Sequence, residues 1–168
     1  MPTKTPAKRQ SIVALVTSIL EGYASKAVFR GFNAQAAGPG KARYRMVWHY
    51  ERQFELTLDV RAKTLRFADL LPGMPAKSAI YKKLKAFLKE RQSPATPEHR
   101  RVNPAKARLR VSNRAGNVSL AFSVPGGDFE YATRKIIHLV HEIFLVFLID
   151  GNYYEYLVEQ LGLDPDRF

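Results

Sequence analysis

Cysteine is absent from this 168-residue chain. Its absence excludes disulfides, a thiolate nucleophile and any zinc site built on cysteine. A cysteine-free chain suits a reducing compartment, so the cytoplasm is the expected location. Long apolar runs are also missing. The longest, Ile143–Ile149, has seven residues, whereas a membrane-spanning helix needs about 20. Acidic residues are few: 15 Asp and Glu face 27 Lys and Arg, for a formal charge of +12. A field of that sign favours anionic partners such as nucleic acid, an anionic membrane surface or an acidic protein. No GxSxG elbow, P-loop, RNP-type, KH-type or helix-turn-helix pattern is present, and no acid–base pair can be placed. No enzyme activity and no cofactor are expected on that basis.

What is present reads as one globular domain. The hydrophobic fraction of 46% is that of a chain with a substantial core, and no repeat or internal linker divides it. Residues 1–10 read as a basic tail and 11–168 as a single α+β domain. The run Ser11–Leu20 has Ile12, Leu15, Val16, Ile19 and Leu20 at helical spacing, which favours an amphipathic helix over a cleaved leader. Gly22 is the expected stop, and Ala27–Phe32 followed by NAQAAGPGK is expected to be a short segment and a loop. Three strands follow, over Ala42–Glu51, Phe54–Val60 and Thr64–Leu70. Their alternation predicts an antiparallel meander with one wet face.

Pro75 suits the first turn of the next helix, in which Ile80, Leu84, Phe87 and Leu88 form the inner stripe. RQSPATPEHRRVNPAK, residues 91–106, is expected to be a mobile loop. A hairpin over Ala107–Val124 precedes a long helix capped by Asp128. Gly151 interrupts that helix, and a short one ends the chain. The expected order is α-β-β-β-α-β-β-α with a helical tail, an antiparallel sheet packed against helices.

Two stretches carry candidate chemistry. In KIIHLVHEIFLVFLIDG, residues 135–151, His138, His141 and Glu142 share a helix face. They match neither HExxH nor HxxEH, and Arg134 lies on the same side. The expected reading is a polar stripe, with no metal site. The following run is apolar all round, because Leu145 falls on the face of Arg134, His138 and His141. Such a helix must be covered all round, by this chain or by a second copy. Ile143, Phe144, Leu145, Phe147 and Leu148 are therefore the candidate protein or dimer interface.

Between Lys77 and Arg110, eleven cations face only Glu90 and Glu98. Lys82, Lys83, Lys85, Lys89, Arg100, Arg101, Arg108 and Arg110 are the candidate nucleic-acid contacts, through phosphates. Tyr44, Trp48 and Tyr50 beside Arg43 and Arg45 form a candidate stacking platform for single strands. However, Tyr44, Met46, Trp48 and Tyr50 share one face at period two, which is more often core.

The stretch GNVSLAFSVPGGDFEYATRKIIHLV, residues 116–140, joins an apolar strand, a tight break and an amphipathic helix opening with aromatics. With the order of elements from Ser11 to Leu148, it resembles the type III secretion chaperone-like fold, which includes the bacterial YbjN-type proteins. The resemblance implies a final helix packed on a curved sheet, homodimers, and protein binding in place of catalysis. The expected function is thus a non-enzymatic adaptor or chaperone-like protein acting through its sheet and C-terminal helix. The alternative is a nucleic-acid-binding protein using the basic region 77–110.

Overall fold

A computed structural model describes residues 6–164 and 166. The elements run α1 (Pro6–Ser25), β1 (Arg30–Gly38), β2 (Lys41–Trp48), a 3-10 turn (His49–Glu51), β3 (Arg52–Asp59), β4 (Thr64–Leu71), α2 (Ala79–Glu90), β5 (Arg108–Arg114), β6 (Asn117–Ser123) and α3 (Phe129–Glu142). A π-helix (Ile143–Asp150) continues α3, and α4 (Tyr154–Leu161) follows. The class is α+β, as expected, with one more strand than the hydrophobic pattern indicates.

That extra strand is β1. Its residues, RGFNAQAAG, are poor strand formers, and every one but Phe32 is exposed. Backbone pairing with β2 makes it a strand, with register shifts on either side of Asn33–Ala36. Several boundaries also move, among them the end of β2, at Trp48 in place of Glu51. α1 continues past Gly22 to Ser25, and its first residues, 6–10, belong to the stretch expected to be a tail; residues 1–5 lie outside the described residues. Pro75 sits three residues before Ser78, which is the N-cap of α2: the Ser78 hydroxyl accepts from the Tyr81 amide at 3.3 Å. Asp128 caps α3 as expected, accepting from the Tyr131 amide at 3.1 Å.

The six strands lie in the order β1-β2-β3-β4-β6-β5, and every neighbouring pair is antiparallel. α2 links β4 to β5 across β6. The turn Ala115–Gly116, both at positive φ, then folds β6 back into the gap. Alternation decides which side is covered. Tyr44, Met46, Trp48, Phe54, Leu56, Leu58, Leu65, Phe67, Val118, Leu120 and Phe122 are all buried on one face. Val16 and Leu20 of α1, Leu84 and Leu88 of α2, and the apolar stripes of α3 and α4 join them in a single core cluster. The other residues of these strands form a second face, and among the described residues no helix lies over it.

α3 and the π-helix form the spine of the helical layer. The apolar run is covered by its own chain: Phe144 stacks on His49 at 4.3 Å and meets Phe54 at 5.8 Å, while Phe147 meets Phe87 at 5.4 Å and Tyr153 at 4.9 Å. Ile143 and Leu148 are buried as well, so among the five residues expected at an interface only Leu145 is exposed, at 39%.

The 91–106 loop, expected to be mobile, is tied to the rest of the fold at several points. Thr96 and Val102 are buried, the Val102 amide donates to the Arg91 carbonyl at 2.7 Å, and the Asn103 amide donates to the Tyr131 hydroxyl at 2.9 Å. Its deepest anchor is the ion pair Arg91–Glu142, 3.7 Å apart with both side chains 7% exposed. Arg91 also lies over the Phe87 ring at 4.5 Å. Removing one partner of such a pair strands a buried charge.

Gly151 ends the π-helix, and a Cβ there would lie 2.1 Å from the Phe147 carbonyl oxygen. Gly151→Ala is therefore expected to lower stability by about 1–3 kcal/mol. Denaturant unfolding checks this, and an unchanged midpoint would contradict it.

Candidate functional site

Two surfaces gather chemically capable side chains, one on each side of the sheet. The first is a cleft where α3 meets the end of β2. A cavity of about 540 Å3 is lined by residues including Val28, Arg30, Trp48, His49, Tyr50, Glu51, His141 and Leu145. A smaller one of about 220 Å3, lined by Tyr23, Val28, Trp48, Ile137, His138 and His141, shares three of its walls. Ala27, Tyr50 and Glu51 have φ near +60°, which costs a non-glycine residue about 1–2 kcal/mol. An ion pair from Arg30 to Glu51 ties this turn to the start of β1.

The fold here joins histidines that sequence separation keeps apart. His49 stands 5.5 Å from His141, ring centre to ring centre, with Trp48 4.7 Å from His49. Burial, with a smaller contribution from charge on His141, lowers the His49 pKa to about 4. His138 is lowered in the same direction, again chiefly by burial, against the opposing pull of Glu142. Glu142 itself turns inward. One oxygen faces Arg91, and the other lies 3.4 Å from His138 Nε2 without hydrogen-bond alignment. The carboxylate that shares a helical face with the histidines is thus committed to the core. Among the described residues no group of three or more His, Asp or Glu is placed to hold a metal ion.

The second surface is the open face of the sheet. Alternation opposite the core residues puts Lys41, Arg43 and Arg45 of β2, Arg66 of β4, and Arg108, Arg110 and Arg114 of β5 on this side. Glu55 and Asp59 of β3 share it. Glu55 receives Arg43 at 3.6 Å and Arg45 at 3.1 Å, and Asp59 receives Lys41 at 3.8 Å. Seven cations from three strands therefore face two carboxylates (Asp69, exposed in the β4 bulge, adds a third acid at its border).

The basic residues expected to act together divide between two sides of the protein. Lys82, Lys83, Lys85 and Lys89 are exposed on α2, in the helical layer. Arg100 and Arg101 belong to the anchored loop, where the Arg101 guanidinium donates to the Pro94 carbonyl at 3.2 Å. Arg108 and Arg110 stand across the sheet from α2. The stacking platform is not formed, because Tyr44 and Trp48 are buried in the core and Tyr50 leaves the strand in the 3-10 turn. Arg43 and Arg45 stand out in the sequence only beside the aromatic residues of that platform, and Arg66 and Arg114 carry no local signal beyond a cation at alternate strand positions. Only strand order brings them together.

Comparison with protein-family models, with curated proteins and with solved structures finds no match to this chain. Among the described residues no helix is long and apolar enough to cross a membrane.

The lowered pKa of His49 has a sign that can be checked. Between about pH 6.5 and 4 the unfolded chain takes up a proton that the folded chain refuses, so stability falls as pH falls through that window. His49→Phe keeps a ring on Phe144 and removes the proton. Its stability is expected to decline less than wild type from pH 7 to pH 4, by about 1–2 kcal/mol after allowance for partial exposure. Equal declines in urea unfolding would contradict this.

Proposed function

We propose that this protein is a non-enzymatic binding protein whose open sheet face takes nucleic acid through its phosphates. The observation that carries the reading is the uncovered face itself. Seven cations stand on it against two carboxylates, on a chain of formal charge +12. Guanidinium groups suit phosphate because they offer several donors in a planar fork. The face carries no histidine and no acid–base pair, so binding is the role its chemistry supports.

A second reading has its own observation. Val28 and Leu145 are exposed apolar residues on the wall of the histidine cleft, and the lining there pairs one cation with one anion, Arg30 with Glu51. That near-neutral patch on a strongly basic protein supports an adaptor or chaperone-like role, with a protein partner or a second copy docking beside the C-terminal helix. The nucleic-acid reading stands first because the rest of the apolar run is used up by the chain's own core. In either reading the cytoplasm is the proposed place of action.

Fluorescence anisotropy with labelled oligonucleotides, in salt raised from 50 to 200 mM, separates the two. The nucleic-acid reading predicts binding at low salt and a slope of log affinity on log salt of roughly −3 to −6. No binding at 50 mM salt would contradict it and leave the protein-partner reading.

A further inference from the structure

The cations of the open face are unequal, and that inequality locates the bound chain. Those of β2 are held by acids of β3: Lys41 by Asp59, and Arg43 and Arg45 by Glu55. Arg66, Arg108, Arg110 and Arg114 are exposed and make no ion pair among the described residues. These four lie on β4 and β5, the two strands that flank β6.

The register sets them around a furrow. Arg66 pairs with Ala121, which pairs on its other side with Arg110; Thr64 and Arg108 likewise flank Ser123. Facing outward from β6 are therefore Ala121, between Arg66 and Arg110, and Ser123, beside Arg108, both small, while Ser119, opposite Ser112, is buried. Adjacent strands lie about 4.8 Å apart, so the two walls are about 10 Å apart. Along β5, side chains on one face recur about every 6.8 Å, comparable with the distance between successive phosphates in an extended strand. Every aromatic residue of β2, β3, β4 and β6 is on the core face. Among the described residues, the part of the open face formed by β2 to β6 thus offers no ring on which a base could stack.

Resting on the nucleic-acid reading above, we infer that a single phosphodiester chain lies along β6, gripped by Arg66 on one side and by Arg108, Arg110 and Arg114 on the other. Recognition is of the backbone and indifferent to base. Asp69 borders the furrow at the β4 bulge, where its amide donates to the Ser119 hydroxyl at 3.0 Å. Its carboxylate opposes the bound chain.

The test is anisotropy at 50 mM salt with labelled dT20, dA20 and a mixed 20-base-pair duplex. Arg66→Gln/Arg110→Gln is expected to weaken binding at least about tenfold and to flatten the salt slope by about 2. Ala121→Phe, which fills the furrow without altering charge, is expected to weaken it similarly, and Asp69→Asn to strengthen it. Arg43→Gln/Arg45→Gln and Lys82→Gln/Lys85→Gln/Lys89→Gln should each change affinity less than about threefold, and dT20 and dA20 should bind alike. The duplex arm decides whether the bound chain is one strand of a helix or a free strand. Binding by wild type that survives the Arg66/Arg110 change but is lost with Arg43→Gln/Arg45→Gln would overturn the furrow and leave the open sheet face as the binding surface. Loss with the α2 lysines instead would overturn the furrow and the proposed function together. A strong preference between dT20 and dA20 would overturn backbone recognition. No binding by wild type would overturn both. Arg66 and Arg110 are exposed, so their variants keep the test open if Ala121→Phe fails to fold.

Discussion

One constraint organises this molecule: among the described residues, a six-stranded antiparallel sheet carries its helices on one face only. Successive side chains point to opposite faces, so each strand divides its residues between oil and water. On β3, Phe54, Leu56 and Leu58 go inward while Glu55, Thr57 and Asp59 go outward. A helix on the second face would bury the arginines of β2, β4 and β5 with too few acids to match. The charge distribution and the single layer of helices are two expressions of the same alternation.

On the covered side, the polar groups that enter the core hold down what hydrophobic contact alone leaves loose. Arg91 and Glu142 join the end of α2 to the end of α3, so the loop from 91 to 106 begins from a fixed point. Glu142 is also the last α-helical residue before the π-helix. There the backbone widens, and Phe144 reaches beneath His49 while Phe147 reaches Phe87 and Tyr153. Wider turns of this kind are uncommon and often border functional sites. Here the π-helix contributes Leu145 to the wall of the cleft that holds His49 and His141.

Much of this was legible in the sequence. The strands from β2 onward, the hairpin of β5 and β6, and the capped α3 all follow from period-two or helical spacing with ordinary turn residues. β1 was illegible because its Asn, Gln, Ala and Gly have no strand preference and bury almost nothing; it exists because β2 offers it a partner. The π-helix was illegible because an apolar run reads alike in any helical form. Site residues divide similarly. The α2 lysines stand out as a local run of charge, while Arg66 is a lone cation forty-four positions before Arg110, its neighbour across β6. His49 met His141 only once the end of β2 was packed under α3.

The central claim is that the two faces of the sheet have different work, a core on one and a phosphate chain on the other. Amide chemical-shift mapping during titration with dT20 tests it most directly. The account predicts perturbations concentrated on β4, β5 and β6 around Arg66, Arg110 and Ala121, with α2 and α3 unmoved beyond the effects of added salt. Perturbations concentrated on α2 or around Val28 and Leu145, with the open face silent, would contradict it.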